Sequence, residues 1–234
     1  MYKSDFTLTI DDIEFYRSQG YLVKNAMYPD ECDALLVALK KHADEKFSAC
    51  HNLHEAEPLA LAIMKHPPIV CAIDALQGCC VVALMSQILF KEAGSPYALQ
   101  AWNSHQDNSY PKGKKGHYIT CNILLADADK ENGCMYVYPG SHEEDLLPFI
   151  PMKSFREDPG TSPGNLVQVP EKYRKVDLVL GKGSMLILHG HFIHGSYSNV
   201  SPTRSRPLFS FSYVPEGTDF ISGDTARRRP ILVH

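Results

Sequence analysis

The spacing of apolar residues along the chain changes near residue 79. Before that point apolar residues recur at helical spacing, with Gly and Pro near the segment ends. The predicted helices are residues 9–19, 29–47 and 69–77, and a short strand is predicted at residues 21–23. Residues 1–79 therefore predict a mainly helical support.

After residue 79, short apolar runs alternate with Gly, Pro, Asn or Asp, which is the pattern of strands joined by turns. The predicted strands are residues 80–90, 97–103, 117–125, 135–138, 176–180, 185–188 and 207–214. Helices followed by strands predict a mainly β fold with N-terminal helices. We expect a double-stranded β-helix (jelly-roll or cupin-like) barrel over residues 80–215, with a helical jacket, within a single domain of residues 1–234.

Residues 151–170 interrupt the strand pattern with four prolines and two glycines. Long loops in compact domains often cover a binding site. We expect this segment to form a lid over the mouth of the barrel.

Composition restricts the class of partner. The net charge of -4, from 23 basic and 27 acidic residues, has no strong sign, so we expect a small-molecule substrate rather than nucleic acid or a membrane. Seven cysteines without a C-x-x-C pair favour reduced thiols in a cytoplasmic protein, which we expect to be a monomer or homodimer. The polar amino terminus and the lack of a long apolar run agree with this. Three consecutive arginines at residues 227–229 are expected to be solvated.

A histidine and a carboxylate two residues apart, His105 and Asp107, form the strongest chemical signal among the predicted strands. If the strand continues through both, their side chains point the same way while Gln106 turns away or contacts the rim. Two such groups are two thirds of a metal site. Two histidines and one carboxylate leave positions free for O₂ and a co-substrate, the arrangement of non-haem Fe(II) oxygenases.

The third ligand is expected from the histidine-rich segment at residues 188–196. On a continuous strand His189 and His191 would share one face and His194 the other. Gly190 and Gly195 could break that alternation, so the pattern alone does not choose among the three histidines. The polar residues 50–55, with two histidines and a glutamate, are interpreted as a loop rather than a metal site.

Four motifs occur in a characteristic order between residues 80 and 215. They are Ser86-Gln87 on a strand, His105-Gln106-Asp107, Asn132-Gly133-Cys134 leading to Pro139-Gly140-Ser141-His142, and His194-Gly195-Ser196 with Asn199, Arg206 and Tyr213. This order resembles the phytanoyl-CoA dioxygenase (PhyH-like) family of Fe(II)- and 2-oxoglutarate-dependent oxygenases.

The resemblance implies that His105, Asp107 and His194 are the iron ligands, with 2-oxoglutarate and O₂ as co-substrates. His191 is the alternative third ligand. Further residues implied to line the co-substrate pocket are Gln87, Ser196 and Asn122. We expect packing or supporting roles for His142 and His189. For Asn108 and Tyr110, substrate contact and surface exposure are both open.

The resemblance also implies an arginine for the distal carboxylate of 2-oxoglutarate, a role that the guanidinium fork suits. Arg204 and Arg206 lie ten and twelve residues after His194, either side of the family's usual spacing. Arg206 is preferred because its spacing to Tyr213 on the following strand matches the spacing in the family. Arg204 is expected at the surface.

The implied reaction oxidises an unactivated C–H bond and converts 2-oxoglutarate to succinate and CO₂. Hydroxylation is the expected outcome, and ring closure and desaturation stay open because they use the same ligands. A small polar metabolite or natural-product intermediate is the expected substrate, since no feature indicates a CoA handle. The alternatives are an acyl-CoA hydroxylase of the same family, a cupin-type dioxygenase without 2-oxoglutarate, and a non-catalytic jelly-roll binding protein that retains a metal.

Overall fold

Helices and strands occupy separate parts of the chain in the computed structural model, which describes residues 6–43, 49–151, 165–224 and 226–234. The helices are α1 Ile10–Gln19, α2 Pro29–Lys40, α3 Pro58–Met64 and α4 Pro67–Gln77. The strands are β1 Tyr21–Asn25, β2 Ala49–His51, β3 Val81–Leu89, β4 Trp102–Gln106, β5 Ile119–Leu124, β6 Met135–Val137, β7 Phe149–Ile150, β8 Leu166–Val167, β9 Val176–Asp177, β10 Ser184–His189, β11 Ile193–Ser196 and β12 Leu208–Pro215.

Two antiparallel sheets form the barrel. The large sheet has the order β1-β10-β5-β12-β3-β2, the small one the order β4-β11-β6-β9, and β7 pairs with β8. Hydrogen bonds from the Thr120 hydroxyl on β5 to Asp107 after β4, and from Lys91 after β3 to Ser196 on β11, join the sheets face to face. The predicted jelly-roll fold class with N-terminal helices is confirmed.

The large sheet has an apolar core on each side. Its outer face packs against the helices, and the apolar side chains there come from alternate positions of β12: Phe209, Phe211 and Tyr213. A smaller cluster between the two sheets includes Leu186, Leu188 and Val137. The helices therefore cover one side of the large sheet and leave its other side to the barrel interior.

Local signals determine the helix ends. The Thr9 side chain caps α1 by accepting from the Asp12 amide, and the Asp12 carboxylate accepts from the Thr9 amide, which completes a capping box. Gly20 ends α1 with φ +82°, and a Cβ there would lie 2.4 Å from the His142 ring, so only glycine fits.

Several predicted boundaries are wrong. Helix α2 ends at Lys40, well before residue 47, and residues 44–48 lie outside the described residues. Helix α3 was not predicted, and residues 49–51 form β2 beside β3 instead of a loop. Residues 97–99 form turns, because the Ala98 and Gln100 amides bond to the Ser95 and Tyr97 carbonyls. The strand β4 starts only at Trp102.

The predicted lid at residues 151–170 falls largely outside the described residues, which leave out 152–164. The segment starts after β7 and runs into β8, which pairs with β7. Its function as a lid stays a prediction. Within the described chain, no single helix is long and apolar enough to cross a membrane, and only the bent pair α3 and α4 meets that test by length and composition.

Candidate metal and co-substrate site

His105, Asp107 and His194 come together inside the barrel, with ligand atoms within 4.8 Å of one another. His105 and His194 lie opposite each other on the antiparallel strands β4 and β11, so their side chains share a face. The Asp107 Oδ1 atom is 3.5 Å from His105 Nε2 and 3.7 Å from His194 Nε2. The donors are those that a divalent metal in a 2-His-1-carboxylate site requires.

Hydrogen bonds orient both imidazoles. The His105 Nδ1 atom lies 2.7 Å from the Asn103 carbonyl, and the His194 Nδ1 atom lies 3.1 Å from the Phe192 carbonyl. A carbonyl only accepts, so each Nδ1 carries the proton and each Nε2 presents a lone pair to the centre. Both rings therefore have the tautomer needed for metal binding at Nε2.

Asp107 reaches the centre by a route that the alternation argument did not foresee. The strand ends at Gln106, and Asp107 begins a 3-10 turn, Asp107–Ser109. The Thr120 hydroxyl donates to Asp107 Oδ2 at 2.7 Å, which leaves Oδ1 for the two histidines. Gln106 does turn away, donating to the Asp145 and His191 carbonyls and accepting from the Leu147 amide.

The protonation states favour a cation. Burial lowers the pKa of His194 to about 4 although Asp107 opposes this, so the ring is neutral at neutral pH. Burial acts to raise the pKa of Asp107, but His194, His105 and Thr120 outweigh it and the net pKa is well below the usual value. An ionised carboxylate and a neutral imidazole are the forms that bind metal.

A second group of polar residues lies where the ends of the large-sheet strands β3 and β12 meet β11 of the small sheet. The Arg206 side chain is 1% exposed, its Nε donates to the Gly133 carbonyl at 3.1 Å, and its Nη1 is buried without a partner. Lys91, also 1% exposed, donates to Ser196 Oγ at 2.8 Å and to the Tyr197 carbonyl. Neither cation has an ion-pair partner among the described residues.

These two cations affect each other because their backbones are paired, with Arg206 N donating to the Lys91 carbonyl at 3.1 Å. Burial lowers the pKa of Arg206 to about 10. Burial and the Arg206 charge lower the pKa of Lys91 well below its usual range. Two adjacent buried cations without an anion are costly, so the arrangement fits a bound anionic group such as a carboxylate.

The Asn132-Gly133-Cys134 turn positions this pair. Gly133 has φ +88°, and a Cβ there would lie 2.7 Å from the Tyr197 carbonyl. Only glycine therefore allows the approach at which its own carbonyl accepts from Arg206. Asn199 supports the other side by donating to the Lys91 and Arg204 carbonyls.

Arg204, the rival of Arg206, points away from the barrel. Its guanidinium makes a two-pronged ion pair with Asp129 at 2.7 and 2.9 Å and a further contact with Glu131. Its anion-binding edge is therefore already occupied at the surface.

The other predicted pocket residues lie on the inner side of the barrel. Ser196 accepts from Lys91, and the Asn122 amide donates to the Leu186 carbonyl at 3.4 Å. The strand register sets Ser210 opposite both Gln87 and Asn122, so these three share the face that carries Thr120. Their roles toward a co-substrate stay predictions.

The remaining histidines have other partners. Asn108 donates to His191 Nε2 at 2.9 Å and His191 Nδ1 lies 3.1 Å from the Glu144 carbonyl, so neither ring nitrogen of the alternative ligand is available. His189 accepts from the His191 amide. The His142 ring, which belongs to the Pro139-Gly140-Ser141-His142 turn, bonds to the Arg17 carbonyl. Tyr110 is half-buried, its ring 6.5 Å from that of His105.

The sequence reasoning missed two residues of the site, Lys91 and Thr120. Thr120 lies in a continuous buried strand, where a threonine is common. Lys91 comes two residues after β3, a buried strand with only two polar positions. A lysine so close behind such a run, before the turn at residues 93–96, was the available signal.

The fold and the donors together define a jelly-roll barrel with a candidate metal centre of the 2-His-1-carboxylate class. The family model for phytanoyl-CoA dioxygenase (PhyH) matches residues 16–208. The chain belongs to this family. This confirms the resemblance found in the sequence motifs.

Curated relatives of this chain have the same family name. Phytanoyl-CoA dioxygenase 1 of Oryza sativa is 25% identical over 179 residues, 76% of this chain and 61% of that protein. Phytanoyl-CoA dioxygenase domain-containing protein 1 of Danio rerio is 24% identical over 268 residues, 87% of this chain and 89% of that protein. The chain thus spans less than two thirds of the rice relative's length.

Solved structures share the fold. The non-heme alpha ketoglutarate dependent carbocyclase SnoK from nogalamycin biosynthesis has a TM-score of 0.72 and 20% identity, covering 96% of this chain and 97% of its own. EctD from S. alaskensis, solved with 2-oxoglutarate and 5-hydroxyectoine, has a TM-score of 0.75 and 16% identity, covering 98% of this chain and 87% of its own.

Proposed function

We propose that this protein is an Fe(II)- and 2-oxoglutarate-dependent oxygenase that oxidises a C–H bond of a small polar metabolite or natural-product intermediate. His105, Asp107 and His194 would hold Fe(II), and Arg206 with Lys91 would hold the distal carboxylate of 2-oxoglutarate. Succinate and CO₂ are the expected co-products, and hydroxylation is the expected outcome. We further propose a cytoplasmic monomer or homodimer.

One observation carries the proposal: metal donors and a pair of unneutralised buried cations occur in the same barrel. Lys91 connects the two groups, because it bonds to Ser196 on the strand that also carries His194. A ligand that binds a metal at one end and presents a carboxylate at the other satisfies both groups.

The residues of the chain perform distinct tasks. Bound Fe(II) supplies, with O₂ and 2-oxoglutarate, the oxidising power needed to break a C–H bond. Thr120 holds Asp107 so that one carboxylate oxygen faces the centre. The carbonyls of Asn103 and Phe192 keep both imidazoles in the binding tautomer. Leucines at residues 186 and 188 and Phe192 exclude water from the barrel beside the site.

The substrate class is proposed from structures that share the fold. SnoK is described as a carbocyclase of nogalamycin biosynthesis and EctD was solved with 5-hydroxyectoine, so small molecules are substrates of the same fold. Ring closure and desaturation remain alternatives to hydroxylation. The family name supports an acyl-CoA substrate as the second candidate.

The test is anaerobic addition of Fe(II) and 2-oxoglutarate, followed by exposure to O₂ with pools of small metabolites and acyl-CoAs. We expect a weak visible charge-transfer band and, with a suitable pool, succinate. Arg206→Ala should lose both, whereas the matched surface variant Arg204→Ala should keep both. Full activity of Arg206→Ala would indicate a dioxygenase without 2-oxoglutarate. No band and no succinate from any pool would indicate a non-catalytic binding protein.

A further inference from the structure

One arginine of the carboxyl-terminal run is buried, against the expectation that all three are solvated. Arg228 is 7% exposed, while its neighbours Arg227 and Arg229 are exposed. Arginine is almost never buried without a partner. The position of Arg228 therefore needs an explanation that its neighbours do not.

The chain after residue 225 is held against the part of β3 that the short strand β2 leaves uncovered. The Arg229 amide donates to the Leu84 carbonyl at 3.1 Å, and Ala83 and Ile231 exchange two backbone hydrogen bonds of 2.8 and 3.0 Å. The Asn52 side chain donates to the Arg227 carbonyl at 2.9 Å. These bonds direct the intervening Arg228 side chain inward.

Tyr110 lies between Arg228 and the His105 ring of the candidate metal site. The Arg228 Cζ atom is 6.0 Å from the centre of the Tyr110 ring, and the Tyr110 ring is 6.5 Å from the His105 ring. On another side of Arg228 is His51, which pairs with Gln87 across β2 and β3. Burial lowers the pKa of His51, and the Arg228 charge lowers it further, as expected for close neighbours.

The guanidinium is only partly satisfied. Its two hydrogen bonds both come from Nη1, at 3.5 Å to the Ser222 carbonyl and 3.4 Å to the Ala226 carbonyl. The Nε atom is buried without a partner, and no carboxylate of the described residues lies within ion-pair distance. The edge formed by Nε and Nη2 is therefore unpaired. That edge matches the two oxygens of a carboxylate.

A second unpaired donor flanks His105. The Trp102 ring is 6.1 Å from the His105 ring, and its indole Nε1 is buried without a partner. Buried N–H groups without acceptors are rare in native proteins. An acceptor oxygen on a bound molecule would satisfy the Trp102 donor.

We propose that Arg228 binds a carboxylate group of the substrate at the rim of the metal site, so that the substrate is an organic acid. Oxidation of the bound acid rests on the proposed function, but binding of the acid does not require turnover. The site at Arg228 is separate from the 2-oxoglutarate site, in which the co-substrate would bind to Arg206 and Lys91.

The test compares organic acids with their carboxamides, which have the same shape without the charge. The probes are 3-phenylpropanoate, hexanoate and benzoate with the three matching amides, measured by ligand-detected NMR with 2-oxoglutarate at saturation. The wild-type protein should bind at least one acid more tightly than its amide. Arg228→Gln should weaken that binding by about tenfold or more. The exposed matched control Arg229→Gln should leave it unchanged.

Two further measurements separate the outcomes. Arg228→Lys keeps the charge and should restore part of the preference for acids, and melting curves of each variant report whether the tail stays folded. The affinity for 2-oxoglutarate should not change in Arg228→Gln; failure of the wild type to bind 2-oxoglutarate would refute the proposed function alone. Equal binding of acids and amides by the wild type, including binding of neither, would overturn the role of Arg228. So would an unaltered acid affinity in a folded Arg228→Gln protein.

Discussion

The two faces of the large sheet use the same strands for opposite purposes. On β12, Phe209, Phe211 and Tyr213 point to the helices, and the Tyr213 hydroxyl donates to the Met64 carbonyl at 2.7 Å. The intervening Ser210 and Ser212 point into the barrel, where the Ser212 hydroxyl is buried without a partner. At these positions of β12 the outward side chains are aromatic and their one hydroxyl is hydrogen-bonded, whereas the inward side chains are serines and one of them lacks a partner.

This difference separates stability from binding. Burial of apolar side chains on the outer face stabilises the fold. The interior holds Arg206 and Lys91, buried cations that lower stability until an anion binds. The protein should therefore gain stability from its ligands at the inner face and lose it from truncations at the outer face.

Phe211→Ala should have the largest effect on the free energy of unfolding. The side chain is 1% exposed within the outer core, so its removal should cost about 3–5 kcal/mol. Urea unfolding of the metal-free protein measures this. The adjacent Ser210→Ala, on the opposite face, should change the free energy by less than about 1 kcal/mol. Similar losses for the two variants would contradict the contrast between the faces.

Arg206→Met should raise the free energy of unfolding, whereas most substitutions of buried residues lower it. Removing a buried cation without an anion should raise the stability of the ligand-free protein by about 1–3 kcal/mol. The same change should weaken 2-oxoglutarate binding by about a hundredfold or more, because a bidentate charged contact is lost. Thermal melts with and without 2-oxoglutarate test both effects. The surface variant Arg204→Met should keep the full ligand-induced shift; a shift retained by Arg206→Met would refute the assignment.

Thr120→Val should weaken the metal site without removing a ligand. Its hydroxyl holds Asp107 Oδ2, and losing such a supporting bond typically lowers metal affinity about 10- to 100-fold. Fe(II) or Mn(II) titration measures the change. Thr120→Ser keeps the hydroxyl and should retain near wild-type affinity. Equal affinities in the valine and serine variants would show that the hydrogen bond does not position Asp107.

His189 provides the smallest predicted effect, a dependence of stability on pH. Burial, with help from His142 and His191, lowers its pKa to about 3, and its Nδ1 accepts from the His191 amide. An unfolded histidine titrates at about pH 6.5, so between about 6.5 and 3 the unfolded chain binds the extra proton. Stability therefore falls as the pH falls through this window, by at most about 1.4 kcal/mol per pH unit for this group.

Unfolding of the metal-free protein at pH 7 and pH 5 tests this dependence. His189→Gln should reduce the loss on acidification by up to about 2 kcal/mol. An identical pH dependence in His189→Gln and the wild type would remove His189 as a cause.

The sequence predicted those features of the site that depend on motifs. His105, Asp107 and His194 converge as the resemblance implied, although the strand argument for Asp107 was wrong in detail. The carboxylate follows the strand in a 3-10 turn and is held there by Thr120 on β5, thirteen residues further along the chain. These two residues meet only because the two sheets face each other, so no local pattern in the sequence reveals their bond.

Features that depend on long-range packing were beyond the sequence. Arg228 belongs to a polar run of three arginines, and only the fold buries it; for Lys91 the one local signal was its position close behind a buried strand. The end of α2 at Lys40 and the late start of β4 were missed because turn hydrogen bonds compete with the apolar pattern there. Strands β7 and β8 have two residues each, too short for any periodicity to show.

The most direct test of the central claim is the position of iron in crystals grown anaerobically with Fe(II) and 2-oxoglutarate, measured by anomalous diffraction at the iron edge. We predict one strong peak in contact with His105 Nε2, Asp107 Oδ1 and His194 Nε2, with electron density for 2-oxoglutarate running from it to Arg206 and Lys91. A peak elsewhere, such as between His142 and His189, or 2-oxoglutarate density away from Arg206, would contradict the account.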